Sequence, residues 1–135
     1  MRVLAIDHGA ARAGVAISDP TETLVRPLTV VEPPEPEGFA RIVREEQAEL
    51  VVVGVPVSLD GSEGEQAAVA RRFRDDLAEV LTVPVETYDE RLTTRLAEGS
   101  RRAGASAAPD ALAAAHLLES YLAHRHAGTD SSGSL

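Results

Sequence analysis

Three carboxylates in this 135-residue chain stand at the boundaries of regular elements. Asp7 closes an apolar run over residues 3–6. Glu90, in "YDERLTT", follows a run that ends at Tyr88. Asp110 opens the last periodic stretch, directly behind Pro109. Charge is costly to bury unless it is paired or bound to a metal. Three converging acids repel one another, and the natural remedy is a divalent cation; oxygen ligands of this kind favour Mg²⁺ or Mn²⁺. Two such ions about 3.5–4 Å apart can bridge a phosphodiester, activate a water and stabilise the leaving oxygen. Plainer readings stand beside this one. Asp7 can be an Asx-turn residue, Glu90 a solvated loop acid paired with Arg91, and Asp110 a complement to the positive end of its helix. Asp19, before Pro20, and Asp60, before Gly61, read as turn residues, and Asp89 as an acid behind the site or in solvent.

Other chemistries are excluded by what the chain lacks. With no cysteine there is no disulfide, zinc–thiolate site or thiol nucleophile. All thirteen basic residues are arginine, so no lysine is present for a Walker-type phosphate loop or a Schiff base. "GSEG" is not a nucleophile elbow. None of the four histidines shows metal-ligand spacing, and His116 reads as a surface or packing residue of the last helix. The net charge of -9 counts against a general nucleic-acid binder. Yet Arg91, Arg95, Arg101 and Arg102 cluster just beyond Glu90, and a local patch can bind phosphates on an acidic protein.

The elements that must position the acids follow from periodicity. Apolar, β-branched runs predict strands over 3–6, 13–17, 26–31, 50–55 and 83–88, the fourth buried on both faces. Phe39, Ile42 and Val43 fit a first helix. Ser62 and Glu65 form a capping box for a second, continued by Val69, Phe73, Leu77 and Leu81. A third helix is expected over 93–103, and a fourth from Asp110 with Ala111, Ala115, Leu118 and Leu122 on its apolar face. Three antiparallel strands followed by right-handed crossovers give an α/β fold: a five-stranded mixed sheet with helices on both faces. That order resembles a ribonuclease H-like domain. One domain over 1–126 and a disordered tail over 127–135 are expected. No run approaches the roughly 18–20 apolar residues of a membrane span, and a soluble cytoplasmic protein is expected.

Four stretches carry a closer resemblance: "AIDHGAARAGVAISD", "VVVGVPVSLDGSEG", "DERLTT" and "PDALAAAHLLESYL". In order and spacing they are similar to the YqgF (RuvX) family of bacterial ribonuclease H-like proteins, related in fold to the Holliday junction resolvase RuvC. The resemblance runs from Met1 to about His124. It implies a nuclease whose acids are Asp7, Glu90 and Asp110, a glycine-rich first turn with Gly9 and Gly14, and Arg91 near the phosphate. The family is described both as a nuclease maturing the 5′ end of pre-16S rRNA and as a candidate junction resolvase. Where the family commonly has Lys-Arg-Ile-Gly, this chain has "ARAG", with Ala11 and Ala13 as replacements. Arg12 remains to take over part of the phosphate binding.

The function expected is therefore metal-dependent phosphodiester hydrolysis on structured RNA, in ribosome biogenesis. Asp7 would be shared by two Mg²⁺ or Mn²⁺ ions, Glu90 and Asp110 would complete one shell each, and Arg12, Arg91 and Arg95 would hold the backbone. A four-way DNA junction resolvase is the alternative, and cutting two strands in symmetry would require a two-fold homodimer. An ATPase of the actin and sugar-kinase type needs a second domain that 135 residues do not provide. A non-catalytic nucleic-acid-binding module is the alternative of another class: the acidic charge supports it mildly, and the presence of all three acids weighs against it.

Overall fold

The computed structural model describes residues 1–93 and 107–133. Five strands form one sheet in the order β3-β2-β1-β4-β5. Strands β1 (Val3–His8), β2 (Ala13–Ser18) and β3 (Val25–Val31) are antiparallel neighbours. Strands β4 (Leu50–Val55) and β5 (Val85–Asp89) add in parallel on the other side of β1. The register between β2 and β3 shifts at Val15 and Ala16, where Ala16 faces Pro27 and Val15 faces Thr29. Proline is tolerated there because β3 is an edge strand and the ladder is already interrupted.

Alternation along the central strands sorts their side chains between two cores. Leu4, Ile6, Val15, Ile17, Val51 and Val53 face α1 (Pro36–Glu46) and α2 (Glu65–Val80), and bury Phe39, Phe73 and Leu77. Val3, Ala5, Ala16, Leu50 and Val52 face α3 (Pro109–Gly133), whose Ala114, Leu117, Leu118 and Tyr121 pack onto them. The small side chains of Ala5 and Ala16 let α3 lie close to the sheet. Beyond the core, α3 is fastened by Arg125 and His126, each 3.0 Å from a Glu22 oxygen that shares its carboxylate with the Met1 ammonium. Burial would raise the Glu22 pKa, but hydrogen bonds from His126, the ammonium and Arg125 outweigh it and hold the group at about 2.

Several local expectations are corrected. The Ser62 capping box does not form: Gly64 is the N-cap of α2, without a side-chain bond. The Ser62 amide instead donates to Asp60 Oδ1 at 2.9 Å, and the loop closes through Ser58 N–H to the Ser62 carbonyl. This closure takes Ser62 out of reach of the helix. Asp60 is thus a turn residue, as is Asp19, which accepts from the Thr21 hydroxyl and the Thr23 and Leu24 amides. Strand β5 starts after Pro84, whose carbonyl already accepts from the Val51 amide. Where a helix is expected to begin at 93, a single 3₁₀ turn, Glu90–Leu92, ends at Thr93. The rest of that expected helix lies outside the described residues. The helix α3 is drawn to Gly133, past the expected boundary at 126, as the propagation of an already nucleated helix allows. No helix among the described residues is long and apolar enough to cross a membrane.

Candidate active site

Asp7 lies on the α3 face of β1, two residues beyond Ala5. Opposite it on β2 stands Gly14. On its other side Gly54 follows the Ile6–Val53 pair on β4. The carboxylate therefore rises between two residues without side chains, and the cleared space is filled from above. A Cβ on Gly14 would sit 1.9 Å from the Asp110 carbonyl oxygen. One on Gly54 would sit 2.8 Å from Glu90 Oε2. The start of α3 thus rests on one glycine and the Glu90 side chain on the other, with Asp7 between them.

Glu90 reaches this place because the parallel register pairs Gly54 with Tyr88, and the 3₁₀ turn then folds the chain back over the sheet. The turn is anchored twice. Asp89 caps it, accepting from the Arg91 amide at 2.9 Å. Ser120 of α3 donates to the Leu92 carbonyl at 2.8 Å, and the Tyr88 hydroxyl meets Ser120 Oγ at 2.7 Å and also His124 Nδ1. The helix that carries Asp110 therefore also fixes the turn that carries Glu90.

The electrostatics follow from this crowding. Burial raises the Asp7 pKa, and the Asp110 charge adds to it. Burial, then Asp7, then Asp89 push Glu90 up to about 7. Asp89 goes the other way, held down chiefly by its hydrogen bonds from Arg91. Asp7 thus repels both Glu90 and Asp110. Among the described residues no three His, Cys, Asp or Glu side chains form a ready-made metal cage. The donor chemistry nevertheless fits a hard divalent ion: oxygen ligands, mutual repulsion, and a cavity of about 200 Å³ lined by Asp7, Glu90, Thr93, Ala113, His116 and Leu117.

The arginines expected on phosphate have protein partners. Arg12 Nε lies 2.7 Å from Asp110 Oδ2, in a largely exposed pair. Arg91 grips Asp89 through Nε and Nη2, at 3.0 and 2.7 Å from Oδ2. Gly9 closes the β1–β2 turn, its amide donating to the Arg12 carbonyl at 3.0 Å. Arg95 lies outside the described residues. His8, next to Asp7, points to the opposite face and stacks on Phe73 at 4.1 Å. Sequence reasoning missed His116 as a cavity residue. Helical spacing from Asp110 through Ala113 to His116 and Leu117 marks one stripe of α3, and that signal could have found it.

A sheet of order β3-β2-β1-β4-β5, helices on both faces and clustered acids at the end of the first strand define the ribonuclease H-like α/β class. Comparison with solved structures agrees on the fold. The chain is similar to Thermus thermophilus RuvC (TM-score 0.62, 21% identity, 94% of this chain and 97% of that one). It is similar also to the fowlpox virus Holliday junction resolvase (TM-score 0.53, 13% identity, 92% and 99%). The family described as RuvX, Holliday junction resolvase, matches residues 1–124. Relatives described as candidate pre-16S rRNA nucleases include one from Chloroflexus aurantiacus, 39% identical over 98% of this chain and 94% of its own length. Another, from Anaeromyxobacter sp. strain Fw109-5, is 43% identical over 94% of this chain and 100% of its own. A third, from Rubrobacter xylanophilus, is 45% identical over 90% and 91%. The chain belongs to the RuvX family, and it is a nuclease of ribonuclease H-like fold.

Proposed function

We propose that this nuclease hydrolyses phosphodiester bonds of the 16S rRNA precursor at its 5′ end, with divalent ions held by Asp7, Glu90 and Asp110. The observation that carries the reading is the row Gly14, Asp7, Gly54 with Asp110 over one end and Glu90 over the other. Asp7, in the middle, would be shared by two ions, and its neighbours would complete one shell each. Bound Mg²⁺ or Mn²⁺ supplies a Lewis acid that acidifies water and stabilises the departing oxygen. The chain supplies the rest. The 3₁₀ turn and α3 hold two acids against a third at fixed spacing. Glu90 gives up the proton that burial and Asp7 favour near neutral pH. Arg12, beside Asp110, meets the backbone phosphate, with Arg91 and Arg95 extending the contact and Gly9 leaving the turn narrow enough for a strand to approach.

The relatives' description supports an rRNA precursor as substrate. The side chains support recognition by backbone shape. All four aromatic residues, Phe39, Phe73, Tyr88 and Tyr121, are buried, so no stacking platform faces the site. A second reading, cleavage of four-way DNA junctions, is favoured by the family's own description; it requires a two-fold dimer.

The test is cleavage of a labelled 16S precursor leader and a mobile four-way junction, side by side, with Mg²⁺, Mn²⁺ or EDTA, by wild type and Asp7→Asn. RNA cutting that needs both metal and Asp7 supports the first reading. Paired symmetric cuts in the junction alone replace it with the second. Equal cutting by Asp7→Asn overturns the carboxylate site.

A further inference from the structure

His116 Nε2 is the only fully buried side-chain nitrogen or oxygen among the described residues that has no hydrogen-bond partner. The other three histidines are accounted for. His124 meets the Tyr88 hydroxyl, His126 meets Glu22, and His8 stacks on Phe73. His116 instead lines the cavity shared by Asp7 and Glu90, between Ala113 and Leu117 of α3. A buried polar atom without a partner is unfavourable, and native proteins retain few of them without a functional reason. The flanking residues Ala115, Leu117 and Leu118 are buried and apolar, and none of their side chains can give the nitrogen a partner.

We propose that His116 is a positioning residue of the ion site, its Nε2 hydrogen-bonding to the water shell of the ion held by Asp7 and Glu90. This rests on the metal reading of that site. The cavity, about 200 Å³, has room for an ion that keeps part of its hydration. Magnesium in particular keeps several waters and is held through few carboxylates. Its waters need partners besides the acids, and the rest of the lining is Thr93, Ala113, His116 and Leu117. Thr93 offers a hydroxyl, and of the three α3 residues only His116 carries a polar side chain. Groups that hold an ion's ligands from behind commonly change its affinity by about 10–100-fold when removed.

The experiment measures Mn²⁺ binding by electron paramagnetic resonance of the free ion, together with metal-free melting temperature, for wild type, His116→Leu, His116→Gln and Asp7→Asn. His116→Leu is expected to melt higher than wild type without metal, because an unpaired buried nitrogen is gone. It is expected to bind Mn²⁺ about tenfold more weakly. His116→Gln, whose amide ends near the place of Nε2, is expected to recover most of that loss. Unchanged Mn²⁺ affinity in His116→Leu overturns the proposal, and so does a lower melting temperature, which would mean that the nitrogen serves the fold. If Asp7→Asn binds as wild type, the metal reading itself falls. If Asp7→Asn loses binding while His116→Leu keeps it, only the role of His116 falls.

Discussion

Replacing Gly54 by alanine tests the placement of Glu90 while leaving every acid in the chain. The added Cβ would stand 2.8 Å from Glu90 Oε2, 3.2 Å from its Cγ and 3.1 Å from Leu117 Cδ2. Ordinary van der Waals contact begins at 3.4 Å, so the carboxylate must retreat by about 0.6 Å or more. The atoms in the way are mostly the far end of a flexible side chain, and the fold can yield. Alanine restricts the unfolded chain, a gain of about 0.4–1 kcal/mol. Crowding of Leu117 costs about 1–3 kcal/mol. Net stability should then fall by no more than about 2.6 kcal/mol, and the protein stays folded. Catalysis has less tolerance, since a misplacement of about 1 Å can lower a rate about 100-fold, or about 2.7 kcal/mol of barrier. The assay is single-turnover cleavage at saturating Mn²⁺ and Mg²⁺, with thermal melting as the check on folding. Gly64→Ala is the control, because nothing lies within 4 Å of a Cβ there. Gly54→Ala cutting within about threefold of wild type, at an unchanged melting temperature, would refute the idea that Gly54 exists to seat Glu90.

Gly14→Ala is expected to be harsher, because its Cβ would meet backbone, the Asp110 carbonyl oxygen at 1.9 Å and carbon at 2.2 Å. The start of α3 must lift, with a stability loss of about 2–3 kcal/mol or more by denaturant titration, and activity falls with it. Glu90→Gln tests the crowding of charge: a folded pKa raised to about 7 means that this residue's stabilising share is whole below its ordinary value of 4.5 and is lost as pH rises through about 7. Metal-free Glu90→Gln should therefore melt higher than wild type at pH 8 and nearly equal to it at pH 4. For the same reason, calorimetry in buffers of different ionisation enthalpy should show proton release on metal binding to wild type near pH 7. Arg12→Ala removes an exposed ion pair and should change stability by less than about 1 kcal/mol. If Arg12 holds a phosphate, the same variant should flatten the salt dependence of RNA binding by about one charge.

The sheet was legible because its strands are uniform in character. Residues 50–55 are apolar without alternation, and the strand is buried at every position. Strand β1 extends two residues further than its apolar run, because Asp7 and His8 pair with Gly14 and Ala13 despite their polarity. The three acids were legible as element boundaries. The reason they meet was not: it lies in the β1–β4–β5 register, which is non-local, and in two glycines whose value depends on what crosses above them. Ser62 was misread because a local spacing rule cannot see a loop closing on itself. The partners of Arg12 and Arg91 are likewise matters of side-chain direction that composition does not encode. His116 was hidden by its ordinary setting, since a histidine among alanines and leucines reads as packing until its nitrogen is found buried without a partner in a residue that lines the cavity of Asp7 and Glu90.

Pro27 and the register shift beside it bear on self-association. A sheet edge that is long, straight and fully amide-bearing invites another chain to join it. On β3 the proline has no N–H to offer, and the ladder is out of step next to it. A second copy cannot extend the sheet smoothly through this strand, which also guards the protein against fibrous stacking at high concentration. Any symmetric pair that handled two strands of nucleic acid at once would have to be joined elsewhere, through the opposite edge at β5 or through helices or loops.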